Sequence, residues 1–107
     1  MGTVFDIDAM EAQASRASSL LGALSNEKRL VILCQLVNQE RSVSDLTELL
    51  GAPQSTISQH LGVLRRECLV ETRRDAQTLF YSLAGNEARA ILETLQALYC
   101  PPNTVDT

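Results

Sequence analysis

One stretch restricts the possible folds more than any other: Gln54-Ser55-Thr56-Ile57-Ser58-Gln59-His60-Leu61-Gly62-Val63-Leu64-Arg65-Arg66. Placed on a helix, Ile57, Leu61 and Leu64 fall at i, i+4 and i+7 and form a stripe that has to pack inward. Ser55, Ser58, Gln59, Gly62, Arg65 and Arg66 occupy the opposite arc. An ordinary solvated face carries Glu and Lys, the better surface helix formers, yet this arc has no carboxylate. Its side chains are those that hydrogen-bond base edges and phosphates, and its glycine lets a bulky surface come close. The stretch therefore reads as a recognition helix for a nucleic-acid groove. Its candidate DNA contacts are Gln54, Ser55, Thr56, Ser58, Gln59, His60, Arg65 and Arg66. His60 sits at the edge of the helix, where a DNA or packing role is favoured over metal ligation.

The flanking segments suit that role. Upstream, Ser42 and Ser44 are alternative caps for a short helix through Leu50, with Asp45 strengthening its start and Gly51 closing it. Ala52-Pro53 then turns into the recognition helix, proline being well placed in a first helical turn. Two helices joined by a short glycine-containing turn match a helix-turn-helix. Downstream, residues 69–74 and 78–83 are β-rich segments around Asp75-Ala76-Gln77, which predicts a hairpin whose turn lacks the preferred glycine. Arg73 and Arg74 near its tip are candidate phosphate or minor-groove contacts.

Residues 10–21 follow a helical pattern, with Ala14, Ala17, Leu20, Leu21 and Leu24 as a small-residue packing face. Asn26 is a natural cap for a second helix over 27–37, apolar nearly all round and so expected to be central and buried. Asn86 is the expected cap of a last helix with the stripe Ile91, Leu92, Leu95, Leu98 and Tyr99, ended by Pro101-Pro102. The predicted architecture is mainly α with a small β-hairpin, a winged helix-turn-helix in the order α-α-α-α-β-β-α. Residues 1–8 are read as a flexible arm, 9–100 as the DNA-binding and dimerisation domain, and 101–107 as a flexible tail. A core this small leaves the apolar faces of the first and last helices uncovered, which predicts a homodimer through them. Twofold symmetry suits double-stranded operator DNA with half-sites about 34 Å apart.

Composition narrows the class further. With 107 residues, 45% hydrophobic and 21% charged, the chain is globular and forms one domain. Its net charge of −4 opposes indiscriminate nucleic-acid binding. DNA contact must rest on the local cluster Arg65, Arg66, Arg73 and Arg74, and should be sensitive to salt. The longest apolar run, Leu30 to Cys34, is far too short to span a bilayer, and no secretory pattern opens the chain, so a cytoplasmic location is expected. Neither a glycine-rich phosphate loop nor a nucleophile paired with a base is present, which argues against an enzyme.

These motifs, in this order, resemble the ArsR/SmtB family of bacterial winged-helix repressors. The resemblance runs from about Ala14 to Cys100 and is carried by LSNEKRLVIL at 24–33, VSDLTELLG at 43–51 and QSTISQHLGVLRRECLVETRRDAQTLFYSL at 54–83. It implies a homodimer that represses an operon until an inducer weakens DNA binding. The chain departs from the family where a glycine usually follows the recognition helix. Cys68 stands there, at a position that tends to need a left-handed backbone. The family's thiolate metal site would fall on Arg41, Ser42, Val43 and Ser44, and its last-helix zinc site needs histidines that residues 86–100 lack. No metal and no other cofactor is expected.

Two thiols remain to receive a signal, Cys34 in the second helix and Cys100 at the end of the last. Each alone reads more simply as a small buried hydrophobe than as a reactive group. Together they resemble the sulfide-responsive branch of the family. That likeness implies that reactive sulfur species bridge the two thiols of one protomer by a short polysulfide or a disulfide, releasing the operator. Cys100 is then the expected first attacker and Cys34 the resolver, with no sensing role for Cys68. Two alternatives stand beside this: a repressor responding to arsenite or a soft metal through the same thiols, and a winged-helix module that binds protein instead of DNA.

Overall fold

The computed structural model describes residues 6–100, so Pro101-Pro102, the expected tail and most of the expected arm lie outside the described residues. In chain order the elements are α1 (Ile7–Leu24), α2 (Glu27–Gln35), β1 (Arg41–Ser42), α3 (Val43–Leu50), α4 (Gln54–Arg66), β2 (Val70–Asp75), β3 (Thr78–Leu83) and α5 (Asn86–Tyr99). The Asp6 carboxylate accepts from the Ala9 N–H and starts α1 early. Ile7 and Asp8, read above as part of the arm, are therefore helical, and the helix outruns the expected 10–21 at both ends. Asn26 caps α2 as expected, accepting from the Arg29 N–H at 3.0 Å, and Arg29 Nε donates to the Ala23 carbonyl at 2.9 Å, locking the α1–α2 corner. The second helix ends at Gln35, two residues short of the expected 37. It buries Ile32 and Leu33 but leaves Val31 exposed and Cys34 half-buried, so it is covered on one side only.

Ser42, not Ser44, caps α3. Its hydroxyl accepts from the Asp45 N–H at 3.1 Å while the Asp45 carboxylate accepts from the Ser42 N–H at 2.9 Å, a complete capping box. Gly51 closes the helix in the left-handed region at φ 63. Pro53 then occupies the cap position of α4, one residue before the first helical turn where it was expected. The turn seats Ala52 in the core with Leu46 of α3 and Ile57, Leu61 and Leu64 of α4.

The sheet has three antiparallel strands in the order β1-β3-β2 instead of the expected two. The missed strand pairs Arg41 with Tyr81 and Ser42 with Phe80; two residues are too few to show an alternating pattern. Pairing of Asp75 with Thr78 shortens the expected three-residue turn to Ala76-Gln77. Ala76 adopts φ 56, supplying the positive φ that a tight hairpin needs and that glycine would supply without strain. At the last helix Gly85, not Asn86, is the cap residue. Its φ of 83 and ψ of 164 lie in a region open essentially only to glycine, which places Asn86 inside the first turn. Ala88 and Leu92 of α5 enter the common core, as do Leu36 and Val37 after α2. No helix among the described residues is long and apolar enough to cross a membrane.

The end of α4 bears out the expectation at Cys68. The Leu69 N–H donates to the Leu64 carbonyl at 2.9 Å and the Cys68 N–H to the Arg65 carbonyl at 3.0 Å, the two bonds of a Schellman motif. Cys68 holds the left-handed position with φ 61. A side chain there costs about 1 kcal/mol relative to glycine. Cys68→Gly should therefore stabilise the fold by about 1 kcal/mol in a denaturant titration; equal or lower stability would show that the thiol makes compensating contacts.

Candidate nucleic-acid interface and thiol pair

Burial of Ile57, Leu61 and Leu64 orients α4 and turns Gln54, Ser55, Ser58, Gln59, Arg65 and Arg66 to solvent. Thr56 and His60 lie on the margins of this face and are half-buried. Gly62 belongs to the same surface. A Cβ built there meets nothing nearer than Arg66 Nη1 at 3.7 Å, so packing within the protomer does not demand a glycine. The amino end of α4 carries no side-chain cap, and both arginines fall in its last turn. Uncapped N–H groups at one end and guanidinium groups at the other give this face donors along its whole length.

The hairpin separates its two arginines. Side chains alternate along a strand, so Arg73 and Arg74 project to opposite faces of β2. Arg74 lies on the face that further down the hairpin carries buried Val70 and Leu83, and it forms no ion pair among the described residues. Arg73 lies on the other face and is already engaged. Glu40 takes its guanidinium in a two-pronged ion pair, and its cation sits 5.0 Å from the Phe80 ring centroid. The hydrogen bonds from Arg73 hold the Glu40 carboxyl below the usual range. Glu40 was missed by sequence reasoning, because nothing local links it to a residue 33 positions away.

Cys34 lies on α2 and Cys100 directly follows α5, and these two helices are in contact. Cys34 is half-buried, Cys100 is exposed at the end of α5, and both are free. Burial raises the pKa of the Cys34 thiol, the nearby Cys100 thiol raises it further by charge repulsion, and a hydrogen bond from Gln96 works the other way. Two polar side chains of α5 grip the end of the second helix: Gln96 Nε2 donates to the Cys34 carbonyl at 3.4 Å and Arg89 Nη1 donates to the Val37 carbonyl. Arg41 Nε adds a third bond, to the Gln35 carbonyl at 3.2 Å. Gln96 and Arg89 were not singled out from sequence, since Gln and Arg on a helix read as ordinary surface residues. Cys68 lies apart from the pair, on a cleft between α1 and the start of α5. No group of three or more His, Cys, Asp or Glu that could hold a metal ion occurs among the described residues.

The chain is similar to known proteins in both sequence and shape. The family model for bacterial regulatory proteins of the arsR family matches residues 26–72. The transcriptional activator HlyU of Vibrio cholerae is 46% identical over 102 residues, covering 95% of this chain and 94% of that protein. The biofilm growth-associated repressor of Agrobacterium fabrum is 42% identical over 96 residues, covering 90% and 82%. Among solved structures, reduced HlyU from Vibrio cholerae superposes with a TM-score of 0.83 at 49% identity, over 86% of this chain and 97% of that one. A homodimeric winged helix-turn-helix DNA-binding domain from Mycobacterium bovis gives a TM-score of 0.73 at 30% identity, over 92% and 89%. Near-complete coverage at this identity, on a chain whose recognition helix and wing are intact, makes the protein a DNA-binding transcriptional regulator belonging to the arsR family.

Proposed function

We propose that the protein is a homodimeric repressor that leaves its operator when reactive sulfur species bridge Cys34 and Cys100 within one protomer. The observation that carries this reading is the contact of α2, which bears Cys34, with α5, which ends at Cys100, in keeping with the charge of Cys100 raising the Cys34 pKa. The division of labour follows from their settings. Exposed Cys100 is the attacking thiol, and half-buried Cys34, slower to ionise, is the resolving one. The Cys100 thiolate attacks the outer sulfur of a persulfide, forming Cys100–S–SH and releasing the carrier thiol. A second persulfide extends the chain by one sulfur in the same way. Cys34 then attacks the sulfur next to the terminal one and expels hydrosulfide, closing a trisulfide; attack one step earlier closes a disulfide.

Dimerisation through α1 and α5 is supported by the apolar side chains that the protomer leaves uncovered there. Ile7 is 70% exposed, Leu98 68% and Tyr99 77%, and the Mycobacterium bovis relative is homodimeric. The sign of regulation is taken as repression, in line with the Agrobacterium relative; HlyU is described as an activator. The alternative of a protein-binding winged module loses its ground with membership of a DNA-binding family. An arsenite or soft-metal site at the same thiols lacks a third ligand among the described residues.

On DNA, we assign base and phosphate contacts to Gln54, Ser55, Ser58 and Gln59, with Thr56 and His60 at the margin, and phosphate contacts to Arg65, Arg66 and Arg74. Gly62 supports this, since its missing side chain is explained by a surface approaching from outside the protomer and not by packing within it. Arg65→Ala/Arg66→Ala should weaken binding of all sequences alike and flatten the slope of log K against log salt by about two per protomer. An unchanged slope would remove both residues from the interface.

Two measurements test the sensor. Mass spectrometry of persulfide-treated protein should show Cys34 linked to Cys100 with added sulfur, in the same samples that have lost operator binding; a bridge without loss of binding would overturn the switch. Alkylation followed over pH should label Cys100 ahead of Cys34. A raised pKa keeps Cys34 protonated beyond the ordinary thiol range, so its labelling should rise only at higher pH and should shift down when Cys100→Ser removes the neighbouring charge. Equal labelling rates at neutral pH would reverse the roles assigned here.

A further inference from the structure

The outer face of the wing holds a charge arrangement that the contacts assigned above leave unused. Arg73 Nε donates to both Glu40 carboxylate oxygens at 3.1 Å, and Nη2 donates to one of them. The pair reaches across β3, because Glu40 immediately precedes β1 and Arg73 stands opposite Phe80 in the hairpin. A guanidinium fork gripping a planar oxyanion is the geometry in which carboxylate and phosphate replace one another. The Phe80 ring beneath the cation favours its position whichever oxyanion it holds. Both partners keep water contact, with side chains 53% and 36% exposed, and pairs in such a setting are weakly held and readily screened.

We propose that Arg73 over Phe80 is a phosphate-binding site of the wing that Glu40 occupies in the free protein, so that DNA binding exchanges this carboxylate for a backbone phosphate. Glu40 is then an internal competitor that holds operator affinity down and mutes its dependence on salt. Asp75, 4.0 Å from the same guanidinium, adds to the negative charge a phosphate must overcome. The proposal rests on the protein binding DNA and is independent of the thiol chemistry.

Operator binding of the reduced full-length protein over a salt series tests it. Glu40→Gln should bind roughly three- to tenfold more tightly at low salt, with a slope of log K against log salt steeper by about one per protomer. Both gains should vanish in Glu40→Gln/Arg73→Gln. Equal or weaker binding by Glu40→Gln with an unchanged slope would overturn the exchange and leave the pair a brace for the wing. A gain that survives loss of Arg73 would also overturn it, as a general charge effect. Without any substitution, NMR titration of the Glu40 carboxyl should show its lowered pKa returning toward the ordinary glutamate range once a duplex is bound. An unchanged Glu40 titration would count against the exchange.

Discussion

Ile57, Leu61 and Leu64 are sealed from solvent almost completely, and seating these three side chains decides most of what lies outside them. They pack where α2, α3 and the root of β2 converge on α4. Each contributes about 1.5–3 kcal/mol of apolar burial, and turning the helix away from this orientation would expose at least one of them. The direction of Ser55, Ser58, Gln59 and the two arginines follows from that geometry alone. The end of the helix is equally constrained. Leu69, bonded back to Leu64, re-enters the core and starts the hairpin, so the wing inherits its place from the helix beside it. The protein tolerates a left-handed cysteine at this junction, which shows how firmly the surrounding packing imposes the turn.

A second constraint is electrostatic. A chain with four more acidic than basic residues binds a polyanion only by concentrating cations on one side and keeping carboxylates out of the way. The outward arc of α4 satisfies this, having no acidic residue. The wing satisfies it in part. Its two arginines face opposite ways, one without an ion pair among the described residues and the other closed by Glu40 and flanked by Asp75. Local charge on this surface is therefore adjustable by a single ion pair, in a way that the total charge conceals.

The second helix joins the thiols to the DNA-binding unit. One side of it packs behind α4, and its far end carries Cys34, held to α5 through the Cys34 and Val37 carbonyls. A bridge between Cys34 and Cys100 would act on the helix that backs the recognition surface. Close-packed cores transmit such displacements instead of absorbing them.

The order of helices, the recognition helix to the residue, the wing and the left-handed site at 68 were all legible in the amino-acid sequence. Each rests on a local rule: apolar period, capping chemistry or turn stereochemistry acts over a few neighbouring residues. Ends of elements were less legible. The early start of α1, the cap at Gly85 and the two-residue strand depend on single hydrogen bonds or on a partner distant in the chain. At the site, sequence named only candidates for DNA contact and for sulfur chemistry. Only the tertiary structure decided which of them are available. It brought the helix of Cys34 against the helix that ends at Cys100, moved Thr56 and His60 to the margin, and brought Glu40 across the sheet to Arg73. The reason is physical: helical periodicity and capping are properties of adjacent residues, whereas charge pairing and thiol encounter depend on distances that exist only after the core has closed.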